Sequence, residues 1–246
     1  DWPTKGTEEA EIGTYALLRL ALLASAKLCE LVGDSDTQEK CTKVANLIQE
    51  KKLPHNNRKQ IVALLQLANM VDEKVAGSIL TKEGGKGMST FMSYYILSAV
   101  AQTVDVSTAQ EMLKEYYGAM LDAGATTFWE DFDLEWAKEG ARIDEIPKEG
   151  AYDIHGDNGR FCYQGMRHSL CHGWSAGPAA FIAEHILGIK ILAPGCKKLS
   201  IKPKLGNLKW IDGTYPTPYG VVHVKAWKEQ DEVLVEISSP KEIEII

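Results

Sequence analysis

The chain contains no apolar run long enough to cross a membrane and no stripe of basic side chains. Its most apolar stretch, residues 12–26, is interrupted by Arg19 and is shorter than the roughly 20 residues that a transmembrane helix needs. Residues 189–246 hold 9 Lys and Arg against 7 Asp and Glu, which leaves 18 against 27 for residues 1–188. Because the larger part is acidic, a phosphate backbone is a poor ligand. The balance predicts no nucleic-acid or membrane partner and favours a neutral, hydroxyl-rich ligand.

Patterned cysteines and metal-binding motifs are also lacking. The five cysteines are irregularly spaced and include no Cys-x-x-Cys pair, which excludes a disulfide framework and a zinc site. Residues 153–159 weakly resemble a calcium loop, but His155 replaces an oxygen ligand and Gln164 stands where the loop needs Glu. We therefore predict no metal site and expect the cysteines to be buried apolar side chains.

With 246 residues, of which 45% are hydrophobic, the chain can bury a full core. Residues 1–188 are predicted to form a helical domain, in which short loops join successive helices into antiparallel hairpins. Thr7 precedes an acidic first turn, and Ser35–Gln38 has the capping-box pattern that starts a second helix. Further helices are expected from about Asn57, Val71, Met88, Ser107 and Trp174, the last ending at Gly188.

After Gly188 the hydrophobic period changes from that of a helix to that of a strand. Alternating segments are separated by turns at Pro194–Gly195, Pro203 and Pro216–Pro218. Residues 189–246 are therefore predicted to form a small antiparallel β-sandwich module. The expected fold class is mainly α with a β appendage, in two domains divided at residue 188.

Two motifs carry the residues that indicate chemistry. Gly124–Glu130 delivers a Trp–Glu pair after small and hydroxylated residues, and Ser169–Pro178 places His172 and Trp174 around a glycine turn. Aromatic rings stack on a pyranose, a carboxylate activates water and an imidazole bonds hydroxyls, so these residue types suit a sugar-hydrolysing pocket. The same chemistry needs a second carboxylic acid, which these motifs do not supply.

Together these features resemble the C-terminal part of bacterial α-L-rhamnosidases. The resemblance rests on Asp1-Trp2, the Ala-Thr-Thr-Phe-Trp-Glu and Ser-Leu-Cys-His-Gly-Trp segments of the two motifs, and the turns at Pro194–Pro203 and Pro216–Gly220. It covers essentially the whole chain. The family fold that it implies is an (α/α)6 toroid of helical hairpins, of which this chain holds about half, followed by a β-sandwich.

The resemblance also implies a reaction, the inverting hydrolysis of terminal rhamnose in a glycoside or polysaccharide without a cofactor. By position, Glu130 is the general base and His172 contacts sugar hydroxyls. Trp2 and Trp129 wall the pocket, and Asp1 and Trp174 complete the expected substrate-binding set. The family's general acid lies upstream of the Asp-Trp motif. We therefore expect the chain to be a truncated piece that is inactive alone and exposes an apolar face capable of self-association.

Several alternatives stay open. Asp131, Asp133 and Glu135 read as a solvated acidic stretch, although Asp133 is placed to tune Glu130, and His168 is a weaker site candidate than His172. Two other functions are open for the chain. It is either a non-catalytic sugar-binding or scaffold domain, or part of a six-hairpin glycosidase that cuts another sugar. The sequence leaves the cellular location open.

Overall fold

A computed structural model describes residues 6–51, 53–138, 141–146, 149–150, 169–230 and 232–246. The helices before the first motif are α1 (Glu8–Val32), α2 (Ser35–Gln49), α3 (Lys59–Leu67), α4 (Glu73–Leu80), α5 (Ser93–Thr103) and α6 (Val106–Asp122). Within these described ranges no helix is both long and apolar enough to span a bilayer. Asp1, Trp2, His168 and the rejected calcium loop lie outside the described residues.

Helix starts depend on side chains that accept hydrogen bonds from free backbone N–H groups. Thr7 caps α1 as predicted, and Gly33 ends that helix in the left-handed conformation at φ 78°. For α2 the capping-box prediction was one residue late, because the carboxylate of Asp34 accepts from the N–H of Thr37. Asp105 likewise caps α6, two residues before the predicted Ser107. In both helices an Asp oxygen accepts from a free N–H of the first turn, which is the role that the predicted Ser would have had.

The helices pack as an arc of hairpins rather than as a closed ring in the described part of the chain. Helix α3 lies between α1 and α5, while α2 packs on α1, α4 on α3 and α5, and α6 on α5. The side chains between them form one continuous hydrophobic core, which includes Leu65, Ile96, Tyr116, Trp129 and Phe132. This arrangement confirms the predicted mainly α class built from successive hairpins.

Two loop segments follow the arc and carry the sequence motifs. Residues 123–133 cross the end of α6 and lead into a single turn, α7 (Leu134–Ala137). Residues 169–172 lead into a 3₁₀ turn (Gly173–Ser175), the short helix α8 (Gly177–Phe181) and a π-helical turn (Ile182–Ile186). The single helix predicted from Trp174 is thus broken into three pieces. Helix α8 packs on α5, and this places both motifs against the same helices.

The β module contains two three-stranded sheets. Strands β3 (Trp210–Thr217), β4 (Gly220–Glu229) and β5 (Glu232–Ser238) form an antiparallel meander. Strands β1 (Ile189–Ile191), β2 (Lys198–Ile201) and β6 (Glu244–Ile245) form the other sheet, in which β6 pairs with β2 in parallel. The sequence analysis missed β6, since two residues are too few to show alternation.

Gly188 joins the helical part to the β module, and only glycine fits there. Its φ is 70°, and a Cβ would lie 2.0 Å from the carbonyl oxygen of Lys202. The Lys202 N–H in turn donates to the Gly188 carbonyl at 3.1 Å. The change of period at Gly188 therefore coincides with the change from helices to strands. The division into domains at this residue stays a prediction.

Candidate functional site

The two motif loops are joined by backbone hydrogen bonds. The Glu130 N–H donates to the Ser169 carbonyl at 2.8 Å, and the His172 N–H donates to the Phe128 carbonyl at 2.8 Å. The Thr127 hydroxyl adds a bond to the Leu170 carbonyl. Residues 40 positions apart thus lie side by side, as in a short strand pair. The structure thereby places Glu130 and His172 in two adjoining loops. Their roles in a common site stay a prediction.

The Glu130 side chain is buried and points back to the second motif. The residue is 5% exposed, and its Oε2 accepts a hydrogen bond from the Ser169 N–H at 3.0 Å. Its carbonyl oxygen accepts two more bonds, from the Thr90 hydroxyl at 2.5 Å and from the Trp174 indole Nε1–H at 2.7 Å. A buried carboxylate held by a backbone donor and anchored on both sides has little freedom to move.

The rings of His172 and Trp174 are in contact, tilted by 37° to each other, in the loop that adjoins Glu130. Their ring centroids are 4.6 Å apart, and Phe91 lies 5.5 Å from Trp174 on the other side. His172 Nδ1 accepts the Trp174 backbone N–H at 3.3 Å. In a neutral imidazole whose Nδ1 accepts, the proton is on Nε2. His172 is therefore prepared to donate a hydrogen bond through Nε2.

Trp129 occupies a different environment from the other aromatic residues of the motifs. Its side chain is 0% exposed and packs edge-on against Phe132, with centroids 5.8 Å apart, inside the helical core. Its role as a wall of the pocket stays a prediction; in the structure its side chain is part of the helical core. From there its burial fixes the backbone that presents Glu130.

A group of hydroxyls that the sequence analysis did not single out ties both loops to the helices. The Ser175 hydroxyl donates to the Trp129 and His172 carbonyls. The Tyr117 hydroxyl reaches the Ser175 carbonyl at 2.9 Å and the Ser93 hydroxyl at 2.7 Å. Ser175 lies within the second motif and could have been found there. Tyr117 and Ser93 carry no local signal, since they meet the loops only through the fold.

The neighbouring carboxylates differ in their surroundings. Burial is the main cause that raises the pKa of Asp131 to about 6, and the negative charges of Asp133 and Glu130 add to the effect. The Asp133 Oδ1 instead accepts the Glu135 N–H at 2.7 Å and caps α7. Glu135 pairs with Lys138 at 2.8 Å on the surface. The acidic stretch therefore combines one half-buried carboxyl with surface groups.

No metal centre accompanies these groups in the described ranges. Over that part of the chain, no three or more His, Cys, Asp or Glu side chains are grouped so that they could hold an ion. What the arrangement can do chemically is limited to proton acceptance by Glu130, hydrogen bonding by His172 and stacking on Trp174 and Phe91.

An arc of helical hairpins followed by a small β module is also the fold of the C-terminal region of solved α-L-rhamnosidases. More particularly, residues 188–245 match the family model described as the bacterial alpha-L-rhamnosidase C-terminal domain. The predicted resemblance is thereby confirmed, and the chain has the fold of the C-terminal region of α-L-rhamnosidases.

Solved structures agree with this assignment of the fold. A GH78 family rhamnosidase of Bacillus sp. GL1 matches with 22% identity and a TM-score of 0.70, over 93% of this chain and 25% of that chain. The α-L-rhamnosidase of Streptomyces avermitilis, solved with L-rhamnose, matches with 15% identity and a TM-score of 0.68, over 93% and 22%. That of Aspergillus terreus matches with 15% identity and a TM-score of 0.72, over 94% and 27%.

The search of curated proteins returned no match. The chain spans about a quarter of the length of the rhamnosidases it resembles.

Proposed function

We propose that this chain supplies the general base and part of the sugar site of an α-L-rhamnosidase that inverts the anomeric carbon. The observation that carries the proposal is the Glu130 carboxylate, buried and held at 3.0 Å by the Ser169 N–H between the two motif loops. An immobile carboxylate is suited to orient and deprotonate one water molecule.

The other residues have separate roles in this proposal. The Nε2–H of His172 donates to a sugar hydroxyl, because its Nδ1 is occupied by the Trp174 N–H. The ring of Trp174 offers a stacking surface, while its own N–H is spent on the Glu130 carbonyl. Trp129 positions the loop from below. Asp1 and Trp2 remain proposed substrate contacts from the family resemblance.

Inverting hydrolysis needs a general acid as well as a base, with carboxyl groups about 6.5–9.5 Å apart. We propose that the acid comes from protein outside these 246 residues. The substrate is then a rhamnose-containing glycoside or polysaccharide, and the chain alone binds sugar without cleaving it.

The test uses an aryl α-L-rhamnoside and a polypeptide that joins this chain to the rest of its catalytic domain. Glu130→Gln should lower kcat by about 10²–10⁴-fold with a modest change in KM, because the amide keeps the shape but cannot accept a proton. Glu135→Gln is the matched control, since Glu135 is a surface residue 46% exposed. The released sugar is followed by NMR. The first anomer to appear should have the inverted configuration.

Two results would contradict parts of the proposal. Near-normal kcat in Glu130→Gln would transfer the role of base to another carboxylate, with Asp133 the first candidate. Turnover by the 246-residue chain alone would show that the acid lies within it. Binding of L-rhamnose with no hydrolysis by any longer polypeptide would favour the sugar-binding alternative.

A further inference from the structure

The exposed face of the β3–β4–β5 sheet carries an unusual pair of tryptophans. Trp210 on β3 is directly opposite Trp227 on β4, and the Trp210 side chain is 63% exposed. The Lys228 N–H donates to the Lys209 carbonyl at 2.9 Å, so the tryptophans form the adjacent non-hydrogen-bonded pair of the ladder. A large aromatic ring so exposed is uncommon unless it binds something.

Apart from Leu234 opposite Trp227 and the Pro216–Val221 pair at the far end, that face is polar and ordered in rows. Two residues along the strands, Asp212 pairs with Lys225 and Lys225 with Glu236. Two residues further, Thr214 pairs with His223. Residues two apart on a strand share a face, so these rows lie beside the tryptophans at steps of about 7 Å. The aromatic row is therefore bordered by alternating acceptors and donors.

Contacts within the face hold these side chains in place. The His223 Nε2 and the Asp212 Oδ1 are 2.5 Å apart across the two strands. The ammonium of Lys225 lies 5.6 Å from the centroid of the Trp227 ring. Fixed polar groups around an aromatic platform lose little conformational entropy when a ligand binds.

We propose that this face is a second carbohydrate-binding site, with a pyranose unit of a glycan stacked on Trp210 and Trp227. Neighbouring strands are about 4.8 Å apart, which is close to the length of one pyranose ring. The C–H face of the sugar lies on the rings, and its hydroxyls reach the charged row about 7 Å away. The paired acids and bases give the face no excess of positive charge, so an anionic polymer is disfavoured.

The inference goes beyond the proposed hydrolysis, because the β module contributes no residue to the candidate site described above. Such a site would keep a polymeric substrate attached while a separate site acts on its end, and would raise the effective concentration of chain ends. The occupant is a glycan chain rather than a monosaccharide alone.

The experiment records the indole N–H signals of the complete 246-residue chain by ¹⁵N NMR while neutral rhamnose-containing oligosaccharides are added. The six tryptophans are assigned by single substitution. The signals of Trp210 and Trp227 should shift in a saturable manner. Trp210→Ala should weaken this binding about tenfold or more, the size typical of a buried aromatic anchor. Asp212→Asn should weaken it less.

Val221→Ala is the matched control, since Val221 is 57% exposed on the same strand as Trp227 but at its far end. It should leave the affinity unchanged. Three results would overturn the proposal. In the first, the Trp210 and Trp227 signals stay constant when oligosaccharide is added. In the second, Trp210→Ala binds as tightly as the unchanged chain. In the third, the signals shift with protein concentration alone. Shifts confined to Trp129 and Trp174 would also overturn it while leaving the proposed function intact.

Discussion

The indole N–H of Trp174 donates a hydrogen bond of 2.7 Å to the backbone carbonyl of Glu130. The residue that offers a stacking ring thus also anchors the loop that presents the carboxylate. The Glu130 carbonyl keeps a second donor, the Thr90 hydroxyl. Under the proposed function, one side chain therefore both contacts the substrate and positions the base.

Trp174→Phe tests this coupling, because phenylalanine keeps a ring and removes the N–H. We expect a loss of about 1 kcal/mol in the free energy of unfolding, the usual net value of one hydrogen bond. Urea titration of the 246-residue chain measures it. Trp210→Phe is the control, since the exposed Trp210 should change stability by less than about 0.5 kcal/mol. Equal losses in the two variants would show that the anchoring bond contributes nothing.

His172→Ala should act on substrate binding rather than on stability. In the complete enzyme KM should rise, because contacts to sugar hydroxyls are lost, and kcat should fall as well if those bonds tighten in the transition state. His55→Ala is a closely matched control variant, since the Nδ1 of His55 also accepts the backbone N–H of the residue two positions later, at 3.2 Å. Steady-state kinetics on an aryl rhamnoside should show no change for the control. An unchanged KM and kcat in His172→Ala would remove His172 from the site.

Asp131→Asn should change how stability depends on pH. The pKa of Asp131 is raised to about 6 in the folded state from 3.8, so the folded chain binds more protons than the unfolded chain between those values. The contribution of Asp131 to the free energy of unfolding is therefore present at low pH and is lost as the pH rises through about 6. Asparagine removes the cost of burying the charge, so the variant should gain stability at pH 7, up to about 3 kcal/mol, and little at pH 4.

Urea titrations at the two pH values make the comparison. Asp144→Asn should show the opposite sign, because a hydrogen bond from Arg142 lowers the pKa of Asp144. The contribution of Asp144 to the free energy of unfolding is present at neutral pH and is lost as the pH falls. An Asp131→Asn variant equally affected at both pH values would mean that the carboxyl is ionised without cost.

The chain should self-associate through α1. Leu28, Leu31 and Val32 at the end of this helix are 63%, 61% and 79% exposed. An apolar cluster of this kind is normally covered in a soluble protein. We expect the sedimentation coefficient to rise with concentration, and the double substitution Leu28→Glu with Leu31→Glu to abolish the rise.

Thr42→Glu with Asn46→Glu serves as the control for added charge, since both residues are exposed positions of α2. It should leave the association unchanged. A chain that sediments as a monomer at every concentration would remove self-association as an expectation.

The sequence by itself determined the helical part, the β module and the position where one gives way to the other. These depend on local patterns: the capping of α1 by Thr7, the period of 3.6 before Gly188 and the period of 2 after it. The two motifs that hold Glu130 and His172 were also recognisable, because both are rich in small and aromatic residues. Short elements could not be predicted from the sequence, since the two residues of β6 form a strand only where β2 offers a partner.

Only the tertiary structure decided which motif side chains are buried in the core and which stay partly exposed. Trp129 and Trp174 look alike in sequence, since each lies within two residues of a candidate site residue. The helical core closes around Trp129 and leaves Trp174 half-buried between Phe91 and His172. Burial depends on what distant segments place around a side chain. The raised pKa of Asp131, the bond from Ser169 to Glu130 and the opposed tryptophans of β3 and β4 follow from that same long-range packing.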